Sequence, residues 1–330
     1  MEQPGLYPDG RTMGWIVAGG LTSALFFFSS IYVPLIGSFL GILAPIPIIT
    51  LFLRRGWKGG LYSSLVAVLF VGFTLKPIVA AYFFVQFGML GLVAAYLIKN
   101  RASFGLIMLA SSLAVAVGFF LLIGIQASHS HQGFFEALKK PLQENVHAAL
   151  KSYPGLSGTE AEDASKMFQK MFSILIVLIP SLIVIGSWVI LLVNFYLIDH
   201  LHLLPGRELL KTFDLNIWKA PEHLIWFVIV PGFAVFLLHG SLRIIALNVM
   251  IATLAIYFFQ GFCVVNFFFD RKGVPPLVKM LIYFVLFVIQ IVAVMVVVIG
   301  LLDMWMDFRK LSKGHETPTT SNKGPSGEDE

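Results

Sequence analysis

The side chains that could bind a solute or carry a proton are few in this chain, and most lie inside apolar runs. The richest group falls between Ile244 and Phe269. On a helix at 3.6 residues per turn, Asn248 and Asn266 share one face about five turns apart. Thr253, Tyr257 and Gln260 form a second stripe on another side of the same helix. An amide without a partner costs several kcal/mol in hydrocarbon, so both stripes must face protein or water. Tyr257, Gln260, Asn266 and Asn248 are therefore candidates for lining a ligand site. Gln86, Asn194 and Gln290, each alone in its run, are natural partners for them. Interhelical hydrogen bonding, at about 0.6 kcal/mol per bond, is the competing use of the same groups.

Charge is nearly absent from the centres of these runs. Asp303, Asp307 and Arg309 cluster at the end of the last one, where they read as an interfacial anchor with Arg309 able to pair with Asp303. The absence of an acid in mid-run argues against a proton-driven mechanism. His129-x-His131 with His147 lacks the acid or thiolate that would complete a metal site, and no metal or other cofactor is expected. Hydrolase, metalloprotease, nucleotide-loop and dinucleotide motifs are missing, so no catalytic residue is assigned and the chain does not read as an enzyme. Cys263, the single cysteine, lies in an apolar run and reads as a buried thiol.

The elements that position these residues follow from composition. Of 330 residues, 58% are hydrophobic and 12% charged, and mean hydropathy is +0.86. A soluble fold cannot hide so much apolar surface, so the solvent must be lipid. The expected fold is an all-α polytopic membrane bundle of eight or nine spans. Residues 1–13 form a polar lead. Five runs in residues 14–125 make an N-terminal membrane half: Gly14–Ile31, Leu35–Leu53, Gly59–Leu75, Ile78–Ile98 and Ser103–Ile125. The first is read as a retained span because no cleavage site follows it. Residues 126–166 form an extracytoplasmic loop, in which Phe134, Phe135, Leu138, Leu142, Val146 and Leu150 recur as one face of an amphipathic surface helix. Residues 167–303 make a C-terminal half of three or four spans: Met167–Ile198, the short His223–His239, Ile244–Phe269 and Pro276–Leu302. Residues 304–330 read as a polar, disordered tail.

Two spans carry unusual detail. In the second, Gly37-x-x-x-Gly41 suits close helix approach, and Pro45 and Pro47 remove two helical hydrogen bonds. Such a break at membrane depth must face the bundle interior. The sixth is long and holds Pro180. The net charge of +5 concentrates in loops, notably Arg54-Arg55-Gly-Trp-Lys58 and Lys99-Asn-Arg101. This is an orientation pattern rather than a nucleic-acid surface, and it places the N-terminus in the cytoplasm. Nine spans would leave Arg309 and Lys310 outside, against that bias. Eight would not, and the short seventh run is the weakest.

Gly20-Leu-Thr-Ser-Ala-Leu25, Ala44-Pro-Ile-Pro-Ile48, Tyr257-Phe-Phe-Gln-Gly-Phe262 and the closing Gly300-Leu-Leu-Asp-Met-Trp-Met-Asp-Phe-Arg-Lys310 resemble the YybS-like bacterial inner-membrane proteins. The resemblance spans nearly the whole chain except the lead and the tail. That family has no assigned activity, so the resemblance implies class and location: multi-pass, in the bacterial cytoplasmic membrane. It is in turn distantly similar to the substrate-binding membrane subunits of energy-coupling-factor transporters. In those subunits, small-x-x-x-small pairs on the first helices dock a partner, and Gly14/Ala18 and Gly20/Ala24 fit that pattern here. Residues and resemblance together point to a transporter-like or small-solute-binding membrane subunit. Its expected partners are the bilayer, a small-molecule ligand and an energising membrane protein. The alternative is a structural or assembly protein that scaffolds other membrane components.

Overall fold

The computed structural model describes residues 10–33, 35–129, 159–204 and 218–309. Those residues form helices and connecting turns. The amphipathic face expected at 134–150, His131, His147 and the tail from 310 lie outside the described residues. Among the described residues, seven helices are long and apolar enough to cross a membrane. An eighth span exists if the pair Pro276–Leu286 and Gln290–Met306, bent by 101°, counts as one. The seventh run gives only a short apolar helix within Glu222–Leu237. Large side chains such as Phe73 (93% exposed) and Phe236 (86% exposed) stay on the surface, where lipid rather than protein covers them.

Contacts divide the chain into two compact units. The first comprises residues 1–213 and 228–252, the second residues 214–227 and 253–330. In the first unit α1 (Gly10–Tyr32), α2 (Ile36–Gly41), α3 (Pro45–Arg55) and α4 (Trp57–Thr74) pack together. The next span is composite: α5 (Pro77–Phe83), a π-helical turn (Phe84–Met89) and α6 (Leu90–Lys99). It packs on α3 and on α7 (Phe104–His129). Small buried residues set the spacing. Ser23, Ser63, Ala24 and Ala67 are fully buried, so backbones approach closely where lipid offers no hydrophobic drive for association. Gly20 and Ala24 are spent in this way. A Cβ on Gly20 would sit 2.6 Å from the Ser63 carbonyl oxygen on α4, so this pair serves the chain's own α1–α4 contact. Gly14 and Ala18 remain exposed. Gly37 likewise faces the end of α1, with the Ser29 carbonyl oxygen 1.8 Å from its would-be Cβ.

The long α8 (Thr159–His200) contains Pro180 and packs on α7, where the Trp188 indole donates to the Met108 carbonyl and to Ser112 Oγ, each at 3.1 Å. Then come α9 (Trp226–Leu237) and α10 (Gly240–Arg271). The second unit is built from the 218–227 segment, the later half of α10, α11 (Pro276–Val288) and α12 (Gln290–Met306). The last apolar run, expected to be one span, is broken at Ile289, whose backbone is extended (φ −92°, ψ 105°). Neither Pro nor Gly marks the break. Beyond it, α12 crosses α10 in backbone contact. A Cβ on Gly261 would lie 1.9 Å from the Val296 carbonyl oxygen, and one on Gly300 2.0 Å from that of Tyr257.

Candidate functional site

The predicted polar residues do not converge. The structure distributes them over six places: two proline breaks, a buried joint, a polar cluster, an exposed helix start and the wall of a cavity.

Two asparagines serve proline breaks in the first unit. At Pro45 and Pro47 the second span interrupts its helical ladder. The Asn194 amide donates to the Ile42 carbonyl at 2.8 Å, and Ser23 Oγ donates to the Ala44 carbonyl at 2.6 Å. The break therefore faces protein: the Gly41 and Leu43 carbonyls accept from Ala44 and Ile46 N–H in tighter turns, and side chains of neighbouring helices bond the adjacent Ile42 and Ala44 carbonyls. Asn194 also donates to Ile190 of its own helix at 2.6 Å. Asn248 does the corresponding job at Pro180. Its Oδ1 accepts the Ser181 N–H at 2.9 Å, and its Nδ2 donates to the Val177 carbonyl at 2.7 Å and to Ile244 at 2.9 Å. Val177 O and Ser181 N–H would pair with each other in an uninterrupted helix, so the carboxamide lies across that rung, one residue past the proline. Asn248 and Asn266 do share a helical face, but about five turns of separation place them roughly 27 Å apart. One small ligand cannot touch both.

Gln260 occupies a fully buried joint in the second unit. Its Nε2 donates to Asp303 Oδ2 at 3.1 Å, and its Oε1 accepts the Ala220 N–H at 3.3 Å. Arg309 donates to the same Asp303 oxygen at 2.8 Å, and both charged side chains are almost completely buried. Tyr257, also fully buried, directs its hydroxyl to the Met304 sulfur at 3.8 Å. Lys219 donates to the Met304 carbonyl at 3.3 Å, and the Trp218 ring meets Phe259 edge-on at 5.0 Å. The expected pairing of Arg309 with Asp303 is present, and the pair is buried rather than exposed. The helix ends at Asp307, which adopts the left-handed conformation (φ 41°, ψ 57°). That turn carries Arg309 back over the helix C-terminus, where a cation is favoured. Asp303 Oδ1 makes no hydrogen bond among the described residues.

Asn266 belongs to a separate cluster. It donates to Asp270 at 3.1 Å and accepts from the Tyr283 hydroxyl, while Lys279 pairs with Asp270. Six residues, roughly 9 Å along the helix, separate it from Gln260. Gln290 is the exposed first residue of α12.

Gln86 differs from the rest. It sits in the π-helical turn, partly buried, and lines a cavity of about 250 Å³ with Phe27, Tyr82, Phe83, Val85, Phe87 and Phe119. The rings form a herringbone: Phe27 meets Phe83 at 5.1 Å and 61° and Phe87 at 5.9 Å and 60°. Tyr82 lies 5.7 Å from Phe119, and its hydroxyl donates to Gln126 Oε1 at 3.1 Å. Gln86 makes no side-chain hydrogen bond among the described residues. Its carboxamide is thus uncommitted beside an apolar space. The aromatic wall was not singled out from sequence, because 31 phenylalanines hide any one cluster, and a π-helical turn carries no simple sequence signature. Such turns recur at functional sites.

Residues 21–304 match the family described as "Predicted membrane protein (DUF2232)". The chain belongs to that family. No curated protein matches it, and no solved structure does. Membership in DUF2232 covers both compact units, including the cavity at Gln86 and the Gln260–Asp303 joint. It establishes a multi-span membrane protein, whose surroundings are the lipid bilayer.

Proposed function

We propose that this DUF2232 protein is a transporter-like membrane subunit that binds a small solute, with the solute held in the aromatic cavity beside Gln86. One observation carries the reading. Of the polar residues inside apolar runs, Asn248 and Gln260 spend both ends of their carboxamides, and Asn194 its amide N–H groups, on hydrogen bonds within the protein. Gln86 does not, and it is among the residues that line an open, mainly apolar volume. A cavity lined mainly by aromatic side chains with one or two placed polar groups is the usual form of a small-molecule site. The energy for movement is supplied by a partner membrane protein or an ion gradient, since the chain has no nucleotide-binding motif. The protein resides in the bacterial cytoplasmic membrane with its N-terminus inside. Eight spans then return the C-terminus to the cytoplasm, in keeping with the positive loops at Arg54-Arg55 and Lys99–Arg101.

The test is a thermal-unfolding screen of the purified protein in detergent against a panel of small metabolites. A true ligand at 100 times its Kd stabilises by about 2.7 kcal/mol. That gain should fall by at least half in Phe119→Ala. The reading fails if no solute raises the unfolding temperature, or if one does and the Phe119 variant responds identically. A reporter fused after Lys310 should lie on the same side as the N-terminus.

A further inference from the structure

We propose that one end of the first compact unit is a binding face for anionic lipid headgroups, whose phosphates are held by exposed arginines and lysines. This face is independent of the solute cavity.

Chain direction brings the cations together. At this end α1 begins, α3 ends, α4 begins, α6 ends and α7 begins. These helix ends and their connections carry Arg11, Arg54, Arg55, Lys58, Lys99 and Arg101, all exposed. Two hydrogen bonds tie the end together. Arg55 donates to Thr12 Oγ1 at the start of α1 at 3.3 Å, and Arg54 donates to the Leu203 carbonyl just past α8. Among the described residues at this end the acid is Asp199, and none of these cations forms an ion pair with a described residue. A cation at a helix C-terminus ordinarily turns onto the last carbonyls of its own helix. Arg54 and Arg55 bond neighbouring segments instead. A guanidinium has five N–H donors, so each arginine is steadied by one bond and keeps others for an acceptor from outside. Its planar fork matches phosphate.

Aromatic residues set the depth and select lipid as the source of that phosphate. Trp15 follows Arg11 by four residues, Tyr62 follows Lys58 by four, and Tyr96 precedes Lys99 by three. Such spacings put the two residues on one helical face, about one turn apart. Each of these aromatics is exposed and lies on the side of its cation toward the middle of the helix. Exposed Trp and Tyr settle at the headgroup level of a bilayer. The cations, roughly 5 Å further out, therefore stand at the depth of lipid phosphates. Trp57 is exposed beside them, and Lys58 Nζ lies 5.9 Å from the centre of its ring.

Trp57 supplies the readout. The full-length protein in nonionic-detergent micelles is titrated with phosphatidylglycerol or phosphatidylcholine carrying brominated acyl chains, which quench tryptophan on contact. The Trp57 signal is the difference between the unsubstituted protein and Trp57→Phe. Two cations at an anionic surface are worth about 25-fold, and half-quenching should need at least about tenfold less of the anionic lipid. Salt at about 1 M, where the screening length is about 3 Å, should remove most of that preference with no substitution made. Lys58→Gln with Lys99→Gln should cut it at least about fivefold; neither side chain has a hydrogen bond or ion pair among the described residues. Lys166→Gln with Lys170→Gln, which removes the same charge from exposed positions toward the start of α8, should leave it unchanged. Equal quenching by the two lipids, as expected if a soluble acidic protein is the real partner, overturns the proposal. So does an equal loss in the two variant pairs, which makes the preference one of net charge alone. Protection from quenching by inorganic phosphate at the lipid's own concentration overturns lipid as the occupant and assigns the face to free phosphate.

Discussion

Replacing Asn248 by Ala tests the idea that a side chain has been spliced into a proline-interrupted helix. The change removes the acceptor for the Ser181 N–H and a donor to the Val177 carbonyl. Ser181 is only 2% exposed, so water cannot easily replace the lost partner. Stranding a buried backbone group costs about 1–3 kcal/mol. Two such groups give roughly 2–6 kcal/mol, less whatever is recovered if Val177 and Ser181 close on each other. Pro180 limits that recovery, because its ring crowds the preceding turn and its missing N–H leaves a second gap in the ladder. In Pro180→Ala the helix closes its own rungs. Asn248→Ala should then cost only about 0.6 kcal/mol, as expected of an ordinary interhelical bond. The double-mutant cycle should therefore show a coupling of at least about 1.5 kcal/mol. It is measured by reversible unfolding in mixed micelles of rising SDS fraction, with Asn248→Leu as a control for packing volume. If the two single costs add to within about 0.5 kcal/mol, Asn248 does not bridge the Pro180 break and the argument is refuted.

Other parts of the structure make equally direct demands. Arg309→Ala leaves Asp303 buried and unneutralised, and should destabilise the second unit by about 3–5 kcal/mol. The paired change Asp303→Leu with Arg309→Met should cost less than Arg309→Ala alone, read in the same micelle titration. If the double change is the worse of the two, the pair adds more than its desolvation costs. Gly300→Ala should destabilise by at least about 2 kcal/mol, since its Cβ would meet the rigid Tyr257 carbonyl rather than a side chain that can swing away. A disulfide trapped between cysteines placed at the α10–α12 crossing should form more slowly in that variant.

The sequence made the helices readable because each run is long, apolar and bounded by charge, and lipid forces such a run to satisfy its own backbone. The break at Pro45 and Pro47 was readable for the same reason, including the direction it faces. What covers it was not, because Asn194 lies some 150 positions away and nothing in either stretch specifies the pairing. Asp303 is the clearest difference. Hydropathy places it where apolar residues give way to charge, which is the signature of an interface. Its burial depends on a left-handed turn at Asp307, and a non-glycine residue in that conformation announces itself poorly. The bend at Ile289 and the π-helical turn at Phe84–Met89 likewise arise from tertiary contacts that local composition does not encode.

That π-helical turn has a consequence for the span that contains it. Its wider loop holds an extra residue, and one residue corresponds to about 100° of rotation in an α-helix. Everything after Met89 is therefore turned relative to everything before Phe84, as if the rod had been cut, twisted and rejoined. Ahead of the turn, Ala80 and Phe83 join the buried cluster with Ala24, Ala44 and Val71. Beyond it, Leu90, Ala94, Ala95 and Ile98 are buried in their turn. A regular helix carries a single apolar seam, whereas this one keeps two out of phase and opens its gap where they meet. Gln86 sits at that seam change, half-buried at the edge of the gap.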